Sequence, residues 1–380
     1  MFAATPVQQA FAYVVAGLVV VGTVVWIIDN IRRARPEVGS EIELAANRRP
    51  YYDDEGMEGQ RLDSVLRWAL ISLTIIAVGL PLYWLAEPGR QAGAIKNFES
   101  TFVHRGEELS LPTAQGGFNC QGCHGGVSGG LVQYNLTDPE SGEITPVMWA
   151  APSLDDVALR MSEDQLREVL VYGRPYSPMP AWGLEGGGPM NEQQIDNLIA
   201  WLQDIAISPD EAKERSTDAA EAQRKLLADP ETALAAAEDA LAKLEADPAA
   251  TEADKLLAEA QVTMVEGIIA SGQEDSEGAA LFNVSCARCH TLGWSYNQPT
   301  EPGSGAFGPP LSNVLNQFTL EEDHSEFVAE GKAFGEEYGR QGKSSGRMPY
   351  FNKVLTREQI ELIVRYERSL ASRRGEQQEQ

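Results

Sequence analysis

The pattern Cys-x-x-Cys-His occurs twice, at Cys120-Gln121-Gly122-Cys123-His124 and at Cys286-Ala287-Arg288-Cys289-His290, and together the two copies use all 4 cysteines of the chain. The same landmarks recur around each copy. A lead-in segment precedes it, Gly106-Glu-Glu-Leu109 or Gly278-Ala-Ala-Leu281. A Pro/Leu turn follows, Ala151-Pro152-Ser153-Leu154 or Gly308-Pro309-Pro310-Leu311, and then a Met-Pro pair, Met179-Pro180 or Met348-Pro349. Each half closes on a segment with matching register, Gln194-Ile195 to Trp201 and Gln359-Ile360 to Tyr366. Ile195, Leu198 and Leu202, like Ile360, Ile363 and Glu367, fall at i, i+3 and i+7, which puts them on one helix face. Glu367 is expected to end the apolar stripe early in the second copy. The order of landmarks marks an internal duplication.

The spacing has a chemical reading. Two thiols one helical turn apart can add across the vinyl groups of one haem as thioethers, and the adjacent histidine then supplies the proximal iron ligand. A thioredoxin-type pair does not need the histidine, and a zinc site would want two more ligands nearby. The expectation is two covalently bound haem c groups, with His124 and His290 as proximal ligands. For the sixth position, Met348 is the one methionine after His290, 58 residues on, and Met179 lies 55 residues after His124. Met148, Met161 and Met190 compete in the first half but have no counterpart in the second. Met190 shares the Gly-rich stretch with Met179, so the choice between those two stays open. The remaining histidines are His104, in the stretch leaving the apolar segments, and His324, in an acidic loop with Glu321-Glu322-Asp323. Both are expected to be solvated. His/Met ligation implies a relatively high reduction potential, because a thioether favours Fe(II).

Two apolar runs, Phe11 to Ile28 and Trp68 to Leu85, carry no charge and approach the length that spans a bilayer's hydrocarbon core. Trp26, Trp68, Tyr83 and Trp84 sit near their ends, where amphipathic rings favour the interface. Arg32, Arg33, Arg35, Arg48, Arg49, Arg61 and Arg67 fall between the runs. The positive-inside rule then predicts a cytoplasmic loop, with both chain ends and everything after about residue 90 extracytoplasmic. The first run lacks a basic n-region and has its arginines behind it, which argues against a cleaved signal peptide. The formal net charge of −26 argues against a nucleic-acid partner and fits a partner with a basic docking face.

These motifs resemble class I cytochrome c domains over residues ~100–207 and ~275–372. The resemblance implies that the carbonyls of Pro152 and Pro309 accept a hydrogen bond from the proximal imidazole, and that Trp201 and Tyr366 pack on the lead-in helices. The whole plan resembles the dihaem subunit of cbb3-type cytochrome oxidases or the dihaem cytochrome cc subunit of actinobacterial bc complexes. The expected fold is mainly α: a two-helix membrane anchor (1–95), a cytochrome c domain (96–207), an acidic Ala-rich helical insert (208–273), a second cytochrome c domain (274–372) and a polar tail (373–380). The insert reads as three helices, 210–227, 231–246 and 252–270, with Asp229-Pro230 and Asp247-Pro248 as N-cap and first-turn signals. The implied function is a relay of single electrons between a quinol-oxidising complex and a terminal oxidase, in contact with the bilayer and with respiratory-complex subunits or a soluble redox partner. A dihaem peroxidase and a mainly structural subunit of a supercomplex are the alternatives. An enzyme would need an open sixth position at one iron.

Overall fold

The computed structural model describes residues 6–34, 59–137, 141–175 and 177–378. The chain divides into two compact units, Met1–Ser100 and Thr101–Gln380. In the first, α1 spans Pro6–Ala34; α2 spans Gln60–Ser110, its last turns from Thr101 on belonging to the second. Within α2, Leu62–Ser110 is long and apolar enough to cross a membrane, and Tyr13–Asp29 of α1 is a shorter apolar helix. Leu73, Ile75 and Trp84 of α2 are exposed. Most of the segment expected to join the two runs, Arg35, Arg48 and Arg49 included, lies outside the described residues. The lead-in stretch Gly106–Leu109 forms the last turns of α2 rather than a helix of its own.

The second unit is mainly helical. After α3 (Cys120–Cys123) come two antiparallel strands, β1 (Gly130–Thr137) and β2 (Ile144–Ala151), paired in a register that sets Val132 opposite Trp149. Helix α4 (Glu163–Tyr172) starts on a Ser162/Gln165 capping box and α5 (Glu192–Asp204) on an Asn191/Gln194 box, each satisfying orphan N–H groups. The insert forms α6 (Pro209–Ala228), α7 (Pro230–Ala246) and α8 (Glu252–Ala270). The second motif follows α9 (Glu277–Ser285), with Cys286 leading into α10 (Ala287–His290); α11 (Glu321–Glu330) and α12 (Arg357–Gln378) come after it. Thr356 and Gln359 cap α12 reciprocally, at 2.9 and 3.2 Å, as Asn191 and Gln194 cap α5.

The repeat is visible in packing. A Cβ on Gly106 would overlap the Asn197 carbonyl, and one on Gly278 would come within 2.6 Å of the Leu362 carbonyl. Both glycines therefore let a lead-in helix press against the closing helix, α5 or α12, where Trp201 and Tyr366 are buried. Ile195, Leu198, Ile199 and Leu202 form the first core with Leu166 and Leu170. Ile360, Ile363, Leu281 and Phe282 form the second with Val328.

The insert is more than a connection between the halves. Ala212, Ala220 and Leu227 of α6 belong to the second domain's core, so α6 is part of the folded unit. Its Arg215 pairs with the buried Asp155 of the first half at 2.8 Å, and its Thr217 accepts from Gln359 of the second at 3.0 Å. This helix is a strut between the halves. One cap expectation fails. Asp229 caps α7 with Pro230 behind it, but Asp247 sits at the C-terminus of α7 and accepts from Ala249 N–H in a local turn. Thr251 caps α8 instead, in a box with Asp254.

Candidate haem sites

Each Cys-x-x-Cys segment is a single helical turn, closed by His124 N–H to the Cys120 carbonyl at 2.9 Å and by His290 N–H to the Cys286 carbonyl at 3.0 Å. Both proximal candidates are oriented in the same way. His124 Nδ1 lies 2.6 Å from the Pro152 carbonyl, and His290 Nδ1 lies 2.9 Å from the Pro309 carbonyl. A backbone carbonyl can only accept, so Nδ1 carries the proton and Nε2 is left with the lone pair that a metal needs. Burial, chiefly, holds the His124 imidazole below its usual range and so in the neutral form. Burial also pushes the Cys120 thiol up to about 11. Burial and then the nearby Glu367 push the Cys286 thiol well above its ordinary value. No two of the four cysteines form a disulfide.

Gly308 explains the tight fit around the second imidazole. A Cβ there would come within 2.6 Å of His290 Cε1. His290, Cys289, Gly308, Pro309 and Met348 line one cavity of about 630 Å³, within the range of cofactor pockets. Apolar walls, an oriented imidazole, the Cys289 thiol at its edge and the Met348 thioether in its lining are what a covalently attached haem requires, so these residues fit the group.

The Met-Pro segments are held alike. Helix α4 ends at Gly173 (φ 70°, ψ −164°) and α11 at Gly331 (φ 59°, ψ −165°), conformations open to glycine. Three residues after each methionine the chain bonds back to the preceding helix. Trp182 N–H donates to Leu170 at 3.0 Å, and Phe351 N–H donates to Ala329 at 3.0 Å. Met179 and Met348 are both half-buried. Met190 is fully buried in the first core, and its backbone pairs with Trp182 and Leu184. Met148 lies on β2, and Met161 lines the second cavity from the first half.

The other two histidines part ways. His104 is exposed beside Glu107 and Glu108. His324 is not solvated and not in a loop: it lies on α11, is 3% exposed, and faces Glu367. Glu367 likewise continues the buried stripe rather than ending it, because the imidazole supplies the partner that its burial demands.

The halves meet directly. Asn297 donates to the Met148 carbonyl at 3.2 Å, Gln165 to Gly346 at 2.6 Å, and Tyr350 N–H to Arg160 at 2.8 Å. Arg288, inside the second motif, donates to the Ala150 carbonyl. Trp149 of β2 packs on Tyr296 and Phe307, with centroids 5.6 and 6.1 Å apart, and lines the second cavity. The hairpin that carries it was not foreseen, although Leu131-Val-Gln-Tyr and Val147-Met-Trp have the β-branched and aromatic content of strands. It runs straight into Pro152, the partner of His124.

Residues 276–371 match the family model for cytochrome c, and residues 114–202 match that for cytochrome C oxidase, cbb3-type, subunit III. The chain carries two cytochrome c domains. Together they make it a dihaem c-type cytochrome that resembles subunit III of the cbb3-type oxidases, with a haem electron-transfer role. No curated protein and no solved structure matches the chain.

Proposed function

We propose that this cytochrome is a membrane-anchored relay that passes single electrons between a quinol-oxidising complex and a terminal oxidase. The observation that carries the reading is the joining of two cytochrome c domains in one compact unit, with Trp149 of the first in the wall of the second cavity. A haem supplies reversible one-electron chemistry at iron when bound. The chain's part is to fix it in place. Cys120 and Cys123, with Cys286 and Cys289, provide the thioether attachments. Pro152 and Pro309 hold His124 and His290 in the ligating tautomer. Met179 and Met348 complete the two iron sites, and the fully buried Met190 serves the core. Two closed sixth positions suit a carrier, which must not bind small ligands.

The apolar parts of α1 and α2 act as two membrane spans, with the arginine-rich segment between them cytoplasmic and the cytochrome domains outside. The acidic surface docks a partner with a basic face. The test is to purify the complex from native membranes, identify its subunits, and follow both haems during quinol oxidation. Both should be reduced by quinol through the partner complex and reoxidised by oxygen only when the oxidase is present. Hydrogen-peroxide turnover by the isolated chain would contradict the relay. Reporter fusions at residue 45 should read as cytoplasmic and those at residue 95 as external.

A further inference from the structure

The second cytochrome domain holds an ionisable pair that the first lacks. His324 Nε2 lies 3.1 Å from Glu367 Oε2, and each side chain is 4% exposed. Phe318 stacks flat on the imidazole, with centroids 4.6 Å and planes 6° apart. His324 Nδ1 is buried with no hydrogen-bond partner among the described residues. Both members of the pair line the cavity that fits the haem.

The duplication supplies an internal control. Setting Gly173 against Gly331, the glycines that end α4 and α11, puts Leu166 opposite His324. Setting Gln194 against Gln359 puts Leu202 opposite Glu367. Leu166 and Leu202 are buried members of the first core. The same scaffold therefore accepts two leucines where the second domain has an imidazole and a carboxylate. Two groups withdrawn from water gain little net stability from each other, and an apolar pair is often as good or better. Stability does not account for the pair.

Glu168, Arg174, Arg288 and Arg347 line the same cavity, and none of them hydrogen-bonds the pair among the described residues. On α12, Arg365 turns to Glu321 at 3.0 Å, and Arg368 donates to the Phe318 carbonyl at 2.9 Å. On α11, Glu321, Glu322, Asp323, Glu326 and Glu330 are exposed, as is Glu277 on α9. Tyr338 stacks on Phe318 at 6.0 Å, and Cys286 lies near Glu367. His290 shares the cavity lining, with its Nδ1 bonded to Pro309.

We propose that His324 and Glu367 form a proton-binding site coupled to the second haem, taking one proton from solvent when an electron arrives there and returning it when the electron leaves. The inference rests on the reading that the second domain holds a haem. With Nε2–H donated to the Glu367 carboxylate, Nδ1 has a bare lone pair. Protonation there forms one N–H bond and gives an imidazolium–carboxylate pair. The electron comes from the one-electron donor of the relay, so charge and atoms balance with no other reactant. An electron added in a low-dielectric pocket is stabilised by a positive charge nearby, and the electron in turn raises the proton affinity of the site.

The test is spectroelectrochemical titration of the full chain, after its haem content is counted, between pH 5 and 9. One haem's potential should fall as pH rises, approaching about 59 mV per tenfold fall in proton concentration where one proton accompanies each electron. The His324→Leu/Glu367→Leu double variant, which copies the first domain, should flatten that slope and leave the other haem unchanged. Glu367→Gln keeps the shape and a hydrogen bond and should also flatten it. A flat wild-type profile overturns the proposal, and so does a slope that persists in both variants. A chain without a second haem would instead remove the reading beneath it.

Discussion

The two cytochrome domains share a scaffold and differ in how closely they enclose their haem residues. Cys120, Cys123 and His124 are half-buried, whereas Cys286 and His290 are buried. Where the second domain needs Gly308 beside its imidazole, the first has Ala151 in the matching place before the proline. Where the first has Leu166 and Leu202, the second has His324 and Glu367. What the domains hold in common, the motif turn, the prolyl carbonyl, the glycine crossing and the tethered Met-Pro segment, is what a haem c needs. What differs is the electrostatics of the pocket, so a duplicated carrier can hold two irons in unlike surroundings.

The largest effect that would break this comparison is loss of a cofactor. Replacing Cys286 and Cys289 with Ala should leave one covalent haem, and replacing Cys120 and Cys123 should leave the other, each with its own absorption maximum. Loss of both haems from either variant would show that the domains do not load independently.

Ligation comes next. Met179→Ala and Met348→Ala should each abolish the far-red sulfur-to-iron band of one ferric haem, open that iron to carbon monoxide and lower its potential. A Met179→Ala protein that keeps both bands, with Met190→Ala losing one, would reverse the assignment in the first domain.

The ionisable pair gives a third contrast, read in thermal or denaturant unfolding. His324→Leu alone strands a buried carboxylate and should cost about 3–5 kcal/mol. The double leucine variant should be neutral or more stable by about 1–4 kcal/mol. The matched change in the first domain, Leu166→Ala, leaves a cavity and should cost about 2–5 kcal/mol. A double variant less stable than His324→Leu would mean the pair is kept for the fold.

The smallest effect concerns Gly308. Gly308→Ala should press on His290 and cost about 1–3 kcal/mol through overpacking, with a perturbed spectrum at the second haem alone. Ala151→Gly in the first domain should change its haem spectrum little.

The order of landmarks, the mainly helical fold and the three insert helices were legible in the sequence because each rests on local signals. Caps, prolines and short periodic runs place α6, α7 and α8 within two residues of their observed ends. Asp247-Pro248 misled because the same dipeptide serves a turn as readily as a helix start. The β1–β2 hairpin escaped because Gly130 and Pro146 weaken the strand signal of its two 8-residue strands. The burial of His324 and Glu367 was hidden for another reason. Each looks like a surface residue within its own segment, and only the crossing of α11 and α12 brings them together. The role of α6 as a strut was equally non-local, since its alanines give a weak apolar signal until a neighbour covers them.

The central claim is that both domains hold a covalent haem, and the most direct measurement is haem content of the purified wild-type chain after acid–acetone extraction. The account predicts two haems per chain retained in the pyridine haemochrome assay, because thioether bonds survive the extraction. A chain that keeps fewer than two, or that carries zinc or a disulfide at either Cys-x-x-Cys-His, would contradict it.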